Sequence, residues 1–258
     1  MPEQTSTPAQ RHEFIMEQLR ESGHVQVSDL SKRLGVSKVT IRKDLRALED
    51  RDLLHRTYGG ANLRDPYVVE RPLGEKKTEF AEEKRRIGKA AAALISERES
   101  IILGSGTTMR QVAEHLPDTH ELTVITNAMN VALVVSKRKG IDLLLLGGMV
   151  RQNAKSAVGV HAEDMLEGYT CDKLFLGVDG FDTEFGLTTT NSLEARLNLK
   201  MIQTARRTII VTDSTKFGQR GLRRICGLEH IHRVITDTNV EAHHVEALKD
   251  HGIIVDTV

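Results

Sequence analysis

Apolar residues follow two regimes along the chain. Up to residue 63 they recur at helical spacing. Phe14, Ile15 and Leu19 share one face of residues 12–20, Leu30 and Leu34 follow Ser28, and Ile41, Leu45 and Leu48 stand at i, i+4 and i+7 within residues 38–51. Gly23 predicts a helix stop, and Ser28 and Ser37 are placed to N-cap the second and third helices. Val25 and Val27 alternate with polar neighbours like a short strand. Residues 53–61, Leu-Leu-His-Arg-Thr-Tyr-Gly-Gly-Ala, predict strand, tight turn, strand, with Gly59 and Gly60 expected to supply positive φ.

From residue 100 the pattern changes. Continuous Ile/Leu/Val runs at 100–103, 122–126, 142–146, 173–177, 208–212 and 233–236 predict strands. Helical stretches at 108–116, 128–137, 162–167, 193–205 and 241–251 separate most of them, and a charged helix over 78–95 precedes them. Strands without polar alternation, interleaved with helices, imply an α/β fold: a mostly parallel, Rossmann-like sheet covered on both faces. Residues 253–255 predict a further edge strand.

Between the two regimes, Pro66, Pro72, Gly74 and Glu75-Lys76-Lys77 predict an exposed connector. The expected organisation is a loose tail over 1–10, a small helical domain over 11–64, a linker over 65–77 and an α/β domain over 78–258.

Composition adds little until it is localised. The 258 residues carry 36 basic and 36 acidic side chains. Residues 32–64, however, hold nine basic groups (Lys32, Arg33, Lys38, Arg42, Lys43, Arg46, Arg51, Arg56, Arg64) against four acidic ones (Asp44, Glu49, Asp50, Asp52). Such an excess is the footprint of a phosphate-binding surface. No apolar run approaches the roughly 18 residues of a membrane span, and the polar N-terminus lacks a signal-peptide core, so a cytoplasmic protein is expected. Cys171 and Cys226 form no metal-type or redox-type pair and are expected to be buried thiols.

Rotating residues 38–51 at 100° per residue sends Ile41, Leu45 and Leu48 inward. Val39, Arg42, Lys43 and Arg46 point the other way, with Thr40 on the flank. An exposed Val among cations suits a helix in the DNA major groove, where a small apolar group meets a thymine methyl and Arg bridges guanine O6 and N7. An ordinary amphipathic helix with a charged outer face has the same periodicity. The strand–turn–strand that follows resembles a wing, with Arg56 and Tyr58 in reach of a sugar-phosphate backbone. A winged helix-turn-helix is therefore expected. A unit this small buries too little surface for typical operator affinity, so a homodimer or homotetramer on repeated half-sites is expected.

In the second half, Gly104-Ser105-Gly106-Thr107-Thr108 follows a strand and opens a helix. Glycines admit an anion to the backbone, hydroxyls donate, and the helix N-terminus favours negative charge. No Gly-Lys-Ser/Thr follows, so this is not a Walker A loop, and Met109 stands where a dinucleotide motif has its third glycine. A plain strand-to-helix turn is the alternative. Asn127, Asp179 and Lys216 stand at or just after other strand ends, and Asn191 and Glu194 open a helix, where simple capping is the alternative. A rim pocket needs such polar groups.

Residues 36–45 (Val-Ser-Lys-Val-Thr-Ile-Arg-Lys-Asp-Leu), Leu48-Glu49 and 56–61 (Arg-Thr-Tyr-Gly-Gly-Ala) resemble the signature of the DeoR family of bacterial transcription regulators, many members of which have His where Tyr58 stands. The resemblance implies that Ser37, Val39, Thr40, Arg42 and Lys43 face DNA, beside Lys38 and Arg46. Residues 99–217 resemble the sensor domain of that family, similar in fold to ribose-5-phosphate isomerase. It implies a phosphorylated-sugar effector bound by Ser105, Gly106, Thr107, Thr108, Asn127, Asp179, Asn191, Glu194 and Lys216, and repression that the effector releases. The phrases Phe175-Leu176-Gly177-Val178-Asp179 and Glu194-Ala195-Arg196-Leu197-Asn198 resemble the AgaR-like amino-sugar branch. Two other readings compete. Asp179, Glu194 and Lys216 would suit an acid/base set of an isomerase-like enzyme. His230, His232, His243 and His244 invite a metal, but no ligand-type spacing accompanies them and surface histidines are expected instead. No cofactor, no metal and no catalytic residue is expected.

Overall fold

In a computed structural model of the chain, residues 7–22, 24–51, 53–56, 59–63, 72–117 and 121–258 are described. They divide into two compact units, Met1–Val69 and Glu70–Val258.

The first unit contains α1 (Pro8–Ser22), β1 (His24–Gln26), α2 (Val27–Leu34), α3 (Lys38–Glu49), β2 (Leu54–Arg56) and β3 (Gly60–Leu63). α1 begins at Pro8, three residues before the expected domain start at residue 11. The reason is a capping box: Thr7 Oγ1 accepts from Gln10 N at 3.3 Å, Gln10 Oε1 accepts from Thr7 N at 3.0 Å, and Pro8 takes the first helical position. α2 starts at Val27, so Ser28 lies inside the helix with its hydroxyl 3.3 Å from Asp29 Oδ1 and does not cap it. Gly35 ends α2 in the left-handed region at φ 65°. Ser31 Oγ then donates to Val36 O at 2.7 Å, which fixes the turn into α3. Ile15 and Leu19 of α1, Leu30 of α2, and Ile41, Leu45 and Leu48 of α3 are buried together. The antiparallel sheet β1–β3–β2 closes this core with Val25, Leu54 and Ala61.

The turn glycines are needed for a different reason from the one expected. Neither Gly59 nor Gly60 has positive φ. A Cβ on Gly60 would lie 1.9 Å from Val25 O, so the residue is small because β3 runs backbone-to-backbone against β1.

The second unit follows the order α4 (Leu73–Thr78), α5 (Ala81–Ala92), β4 (Ser100–Leu103), α6 (Thr107–Glu114), β5 (Leu122–Thr126), α7 (Met129–Val135), β6 (Ile141–Leu145), β7 (Met149–Arg151), β8 (Ser156–Val158), α8 (Val160–Asp164), β9 (Cys171–Leu176), β10 (Gly180–Asp182), β11 (Gly186–Thr189), α9 (Ser192–Thr204), β12 (Ala205–Val211), β13 (Arg223–Cys226), β14 (Arg233–Thr236), α10 (Ala242–Asp250) and β15 (Ile254–Thr257). Seven strands form one parallel sheet in the order β15-β14-β12-β9-β4-β5-β6. Successive side chains serve opposite faces. Ile101, Leu103, Phe175, Ile209 and Val211 pack with α5, α6 and α7. Ile102, Leu174, Leu176 and Ile210 pack with α8, α9 and α10. The hairpin β7–β8 and the sheet β10-β11-β13 are additions with no counterpart in the predicted elements.

From β4 the chain builds outward through β5 to β6, then returns to place β9 on the other side of β4 and builds outward through β12 and β14. The direction therefore reverses between β4 and β9. In open parallel sheets the crevice outside the carboxyl ends at such a reversal is where ligands bind.

Candidate functional site: a DNA-reading helix and a polar crevice

On α3 the exposed side is the predicted one. Ser37 caps the helix, accepting from Thr40 N at 3.1 Å. Lys38, Val39, Arg42, Lys43 and Arg46 are exposed and Thr40 is half-buried, with Val39 at 61%. None of Lys38, Arg42, Lys43 and Arg46 is ion-paired among the described residues. The acidic residue within this cationic row, Asp44, points inward. It takes Arg11 Nε at 2.7 Å and Nη2 at 3.0 Å, and His12 Nε2 lies 3.3 Å away. Its charge is thus neutralised from α1 and subtracts little from the outer face. Arg56 is exposed but tied to Glu49, Nε to Oε2 at 2.6 Å, so a phosphate would have to share it. Tyr58 lies outside the described residues.

The crevice between β4 and β9 collects residues from distant segments. Gly104 leaves β4 where a Cβ would stand 2.9 Å from Leu176 Cδ1 of β9, so the two strand ends stay close. Gly106, at φ 122°, begins α6 without any side-chain cap, leaving its first-turn amides for another acceptor. Ser105, Gly106 and Thr107 are half-buried and Thr108 is buried. Ser105 Oγ donates to Glu194 Oε1 at 3.0 Å. Glu194 is buried in the first turn of α9, with Asn191 Oδ1 accepting from Leu193 N at 3.0 Å and Glu194 N at 3.1 Å. Asn191 is therefore the helix cap that orients Glu194.

Arg151 of β7, buried, places Nη1 2.8 Å from Glu194 Oε2 as an ion pair angled away from a linear hydrogen bond. Thr189 Oγ1 lies between Glu194 Oε2 and Asp179 Oδ2, 3.0 Å from the latter. One hydroxyl hydrogen faces two carboxylates there, so only one of the two contacts is a hydrogen bond at a time. Asp179 also accepts from Thr190 N at 3.2 Å, and Lys76 Nζ of α4 donates to its Oδ1 at 2.8 Å. Burial pushes the Asp179 carboxyl up, but Lys76 and the threonine bonds outweigh it and bring it down to about 2.

Asn127, at the end of β5, donates Nδ2 to Ala157 O at 2.8 Å, and its buried Oδ1 has no partner among the described residues. Ser156, opposite Arg151 in the β7–β8 hairpin, has a buried Oγ in the same condition. Lys216 sits in the turn after β12, near enough to Lys84 of α5 to oppose its charge. Lys84 is buried, which lowers its amine against the attraction of Asp213, and it donates to Lys76 O at 2.8 Å and Glu79 O at 2.7 Å.

Ser105, Asp179 and Glu194 are thus joined through Thr189 in one polar chain, and Asn127 is bonded to the hairpin that brings Arg151 to Glu194. Sequence reasoning missed Arg151, Thr189, Ser156 and Lys76. The sequence puts Lys76 in the linker. Its segment is instead helical and held to the α/β unit, with Leu73 N also donating to Asn153 O at 2.9 Å. Residues 65–71 of the expected linker lie outside the described residues.

Residues 11–66 match the DeoR-like helix-turn-helix domain and residues 79–238 the DeoR C terminal sensor domain. The chain belongs to the DeoR family of transcription regulators. It is 41% identical to an Escherichia coli O157:H7 protein assigned as the aga operon transcriptional repressor, over 96% of this chain and 93% of that one. It is 30% identical to the glycerol-3-phosphate regulon repressor of Escherichia coli K12, over 95% and 96%. Ribose 5-phosphate isomerase A from Neisseria gonorrhoeae aligns at 15% identity and a TM-score of 0.40, over 55% of this chain and 56% of that one. These relatives that span nearly the whole chain are regulators, and this DeoR-family chain is a DNA-binding regulator with an effector-sensing domain, not an isomerase-like enzyme. No helix among the described residues is long and apolar enough to cross a membrane.

Proposed function

We propose that the chain represses a sugar-catabolic operon, an amino-sugar one being the narrower reading, and that a phosphorylated sugar bound in the β4–β9 crevice releases it. What supports this is the cluster at the sheet's reversal point: a helix N-terminus without a side-chain cap on Ser105, Gly106, Thr107 and Thr108, with Ser105 bonded to Glu194 and Glu194 linked through Thr189 to Asp179. The phosphate would sit on α6 and the sugar hydroxyls would meet Asp179, Glu194 and Lys216, with Asn127 orienting the ring and Asn191 holding Glu194. Two relatives named for the aga operon and the glycerol-3-phosphate regulon support the ligand class. Ser37, Lys38, Val39, Thr40, Arg42, Lys43, Arg46 and Arg56 would contact the operator, with two or four copies of the chain on repeated half-sites. The DNA-binding domain would span residues 11–64 and the sensing domain residues 78–258.

The effector must favour the DNA-free state, and a coupling typical of allosteric proteins weakens operator binding about 5- to 150-fold. Thr107→Glu tests the site by placing a carboxylate at the phosphate position. Repulsion there is expected to weaken sugar-phosphate binding by roughly a hundredfold or more. Thermal-shift titration with glucose 6-phosphate, glucosamine 6-phosphate, galactosamine 6-phosphate, ribose 5-phosphate and glycerol 3-phosphate reads binding, and gel shift reads release. The variant should bind operator and ignore every sugar phosphate. Normal protection and normal release would remove the phosphate from α6.

A further inference from the structure

The short helix α4 is the first described element after the winged-helix unit, and it is held to the α/β unit at three described points. At its start Leu73 N donates to Asn153 O at 2.9 Å. At its end the Lys84 ammonium takes the carbonyls of Lys76 and Glu79. The third point is different in kind: Lys76 reaches into the crevice and occupies Asp179 Oδ1 at 2.8 Å. Both side chains are about a quarter exposed or less, at 27% and 18%, so the pair is only partly screened by water.

Asp179 Oδ2 is already committed to Thr189 and Thr190. Oδ1, with one donor against three on Oδ2, is therefore the freer acceptor for a hydroxyl on a ligand seated beside Thr189, and Lys76 now holds it. The single Thr189 hydrogen cannot serve both carboxylates at once, which leaves one of its two contacts open to replacement by a ligand. An entering hydroxyl must share Oδ1 with the Lys76 ammonium or displace it.

We propose that Lys76 is the gatekeeping residue of the effector crevice: a ligand hydroxyl takes Asp179 Oδ1, expels the Lys76 ammonium, and so frees the pocket-side anchor of α4. This rests on the effector site proposed above. Lys76 is then a residue the effector displaces, not one that binds it. Its loss has two opposite effects. Effector binding strengthens, because nothing need be expelled. Operator release weakens, because binding no longer moves α4.

Lys76→Met and Lys76→Arg in the full-length protein test this, with the sugar phosphate from the panel above that most protects the wild-type chain. For Lys76→Met, calorimetric titration should show binding tighter by about three- to tenfold, the scale of losing one partly exposed ion-pair competitor. Gel shift should show the effector-induced drop in operator affinity reduced from the typical 5- to 150-fold to less than about twofold. Lys76→Arg, which can keep the pair, should behave as wild type in both. Weaker effector binding by Lys76→Met would make Lys76 a direct ligand and overturn the proposal, as would unchanged binding and release. Melting without ligand checks that each variant folds. If no sugar phosphate protects the wild-type chain, the effector reading falls and takes this one with it. If Thr107→Glu abolishes protection while Lys76→Met releases normally, this one falls alone.

Discussion

Asp44 sits on α3 with its side chain turned inward toward α1, and removing it is expected to loosen that helix's support. The carboxylate is 7% exposed and meets three nitrogens of α1: Arg11 Nε at 2.7 Å, Arg11 Nη2 at 3.0 Å and His12 Nε2 at 3.3 Å. Asp44→Ala takes the carboxylate away from the Arg11 guanidinium, itself 10% exposed. Breaking a buried pair from one side costs about 3–5 kcal/mol, and here the lower end applies, because the long Arg11 stem can turn its head toward water. A unit of this size has roughly 3–9 kcal/mol in all. A loss of about 3 kcal/mol therefore consumes much of its margin and lowers its melting temperature by about 12–24 °C. Asp44→Asn keeps one oxygen acceptor and should lose about half as much. Calorimetry of the full-length protein, with hydrogen exchange of peptides covering residues 38–49, reads the N-terminal transition separately from the α/β unit. A shift below about 4 °C for Asp44→Ala, with unchanged exchange in α3, would refute the view that this pair locks α3 to α1.

Two further outcomes follow from the same structure. Arg42→Ala and Lys43→Ala should each leave the fold intact and weaken operator binding by about 1–3 kcal/mol if the side chain reads a base, or lower the salt slope of binding by about one if it holds a phosphate. Gel shifts at several salt concentrations distinguish the two, and wild-type affinity in both variants would remove α3 from the major groove. Asp179, held down to about 2 against an ordinary 3.8, contributes stability that is fully present above about pH 4 and is lost as pH falls toward 2. Asp179→Asn should therefore flatten the stability–pH curve of the α/β unit across that interval. An unchanged acid slope would mean that the Lys76–Asp179 pair does not form in solution.

What the sequence disclosed depended on how local the physics was. β4, β5 and β14 were legible residue by residue, because strands buried on both faces leave an unbroken apolar run. Ile41, Leu45 and Leu48 fixed the facing of α3 because a helix repeats within four residues. The hairpin β7–β8 and strands β10, β11 and β13 were not legible. They are three or four residues long and mix Arg151, Ser156, Asp182 and Arg223 with apolar neighbours, so no period is established. Lys76 was unreadable for another reason: its partner Asp179 is 103 positions away, and only the completed sheet brings them together. Gly60 shows a right location with a wrong cause, since a glycine pair marks a turn equally well whether it supplies positive φ or close approach. The capping box Thr7-Pro8-Ala9-Gln10 is written in the sequence, but Pro2 and Pro8 among polar residues suggest a tail as readily as a helix start.

The adjacency of β4 and β9 also sets a timetable on the ribosome. Ser100 and Asp172 are bonded across 72 positions, and the crevice cannot close until β9 has emerged, whereas the helices and wing of the N-terminal unit are complete by Leu63. At translation rates of about 5–20 residues per second, the interval is on the order of ten seconds. During it the nascent chain holds a finished helix-turn-helix unit and an unfinished sensor domain. A message cut anywhere between those two points would encode the first without the second.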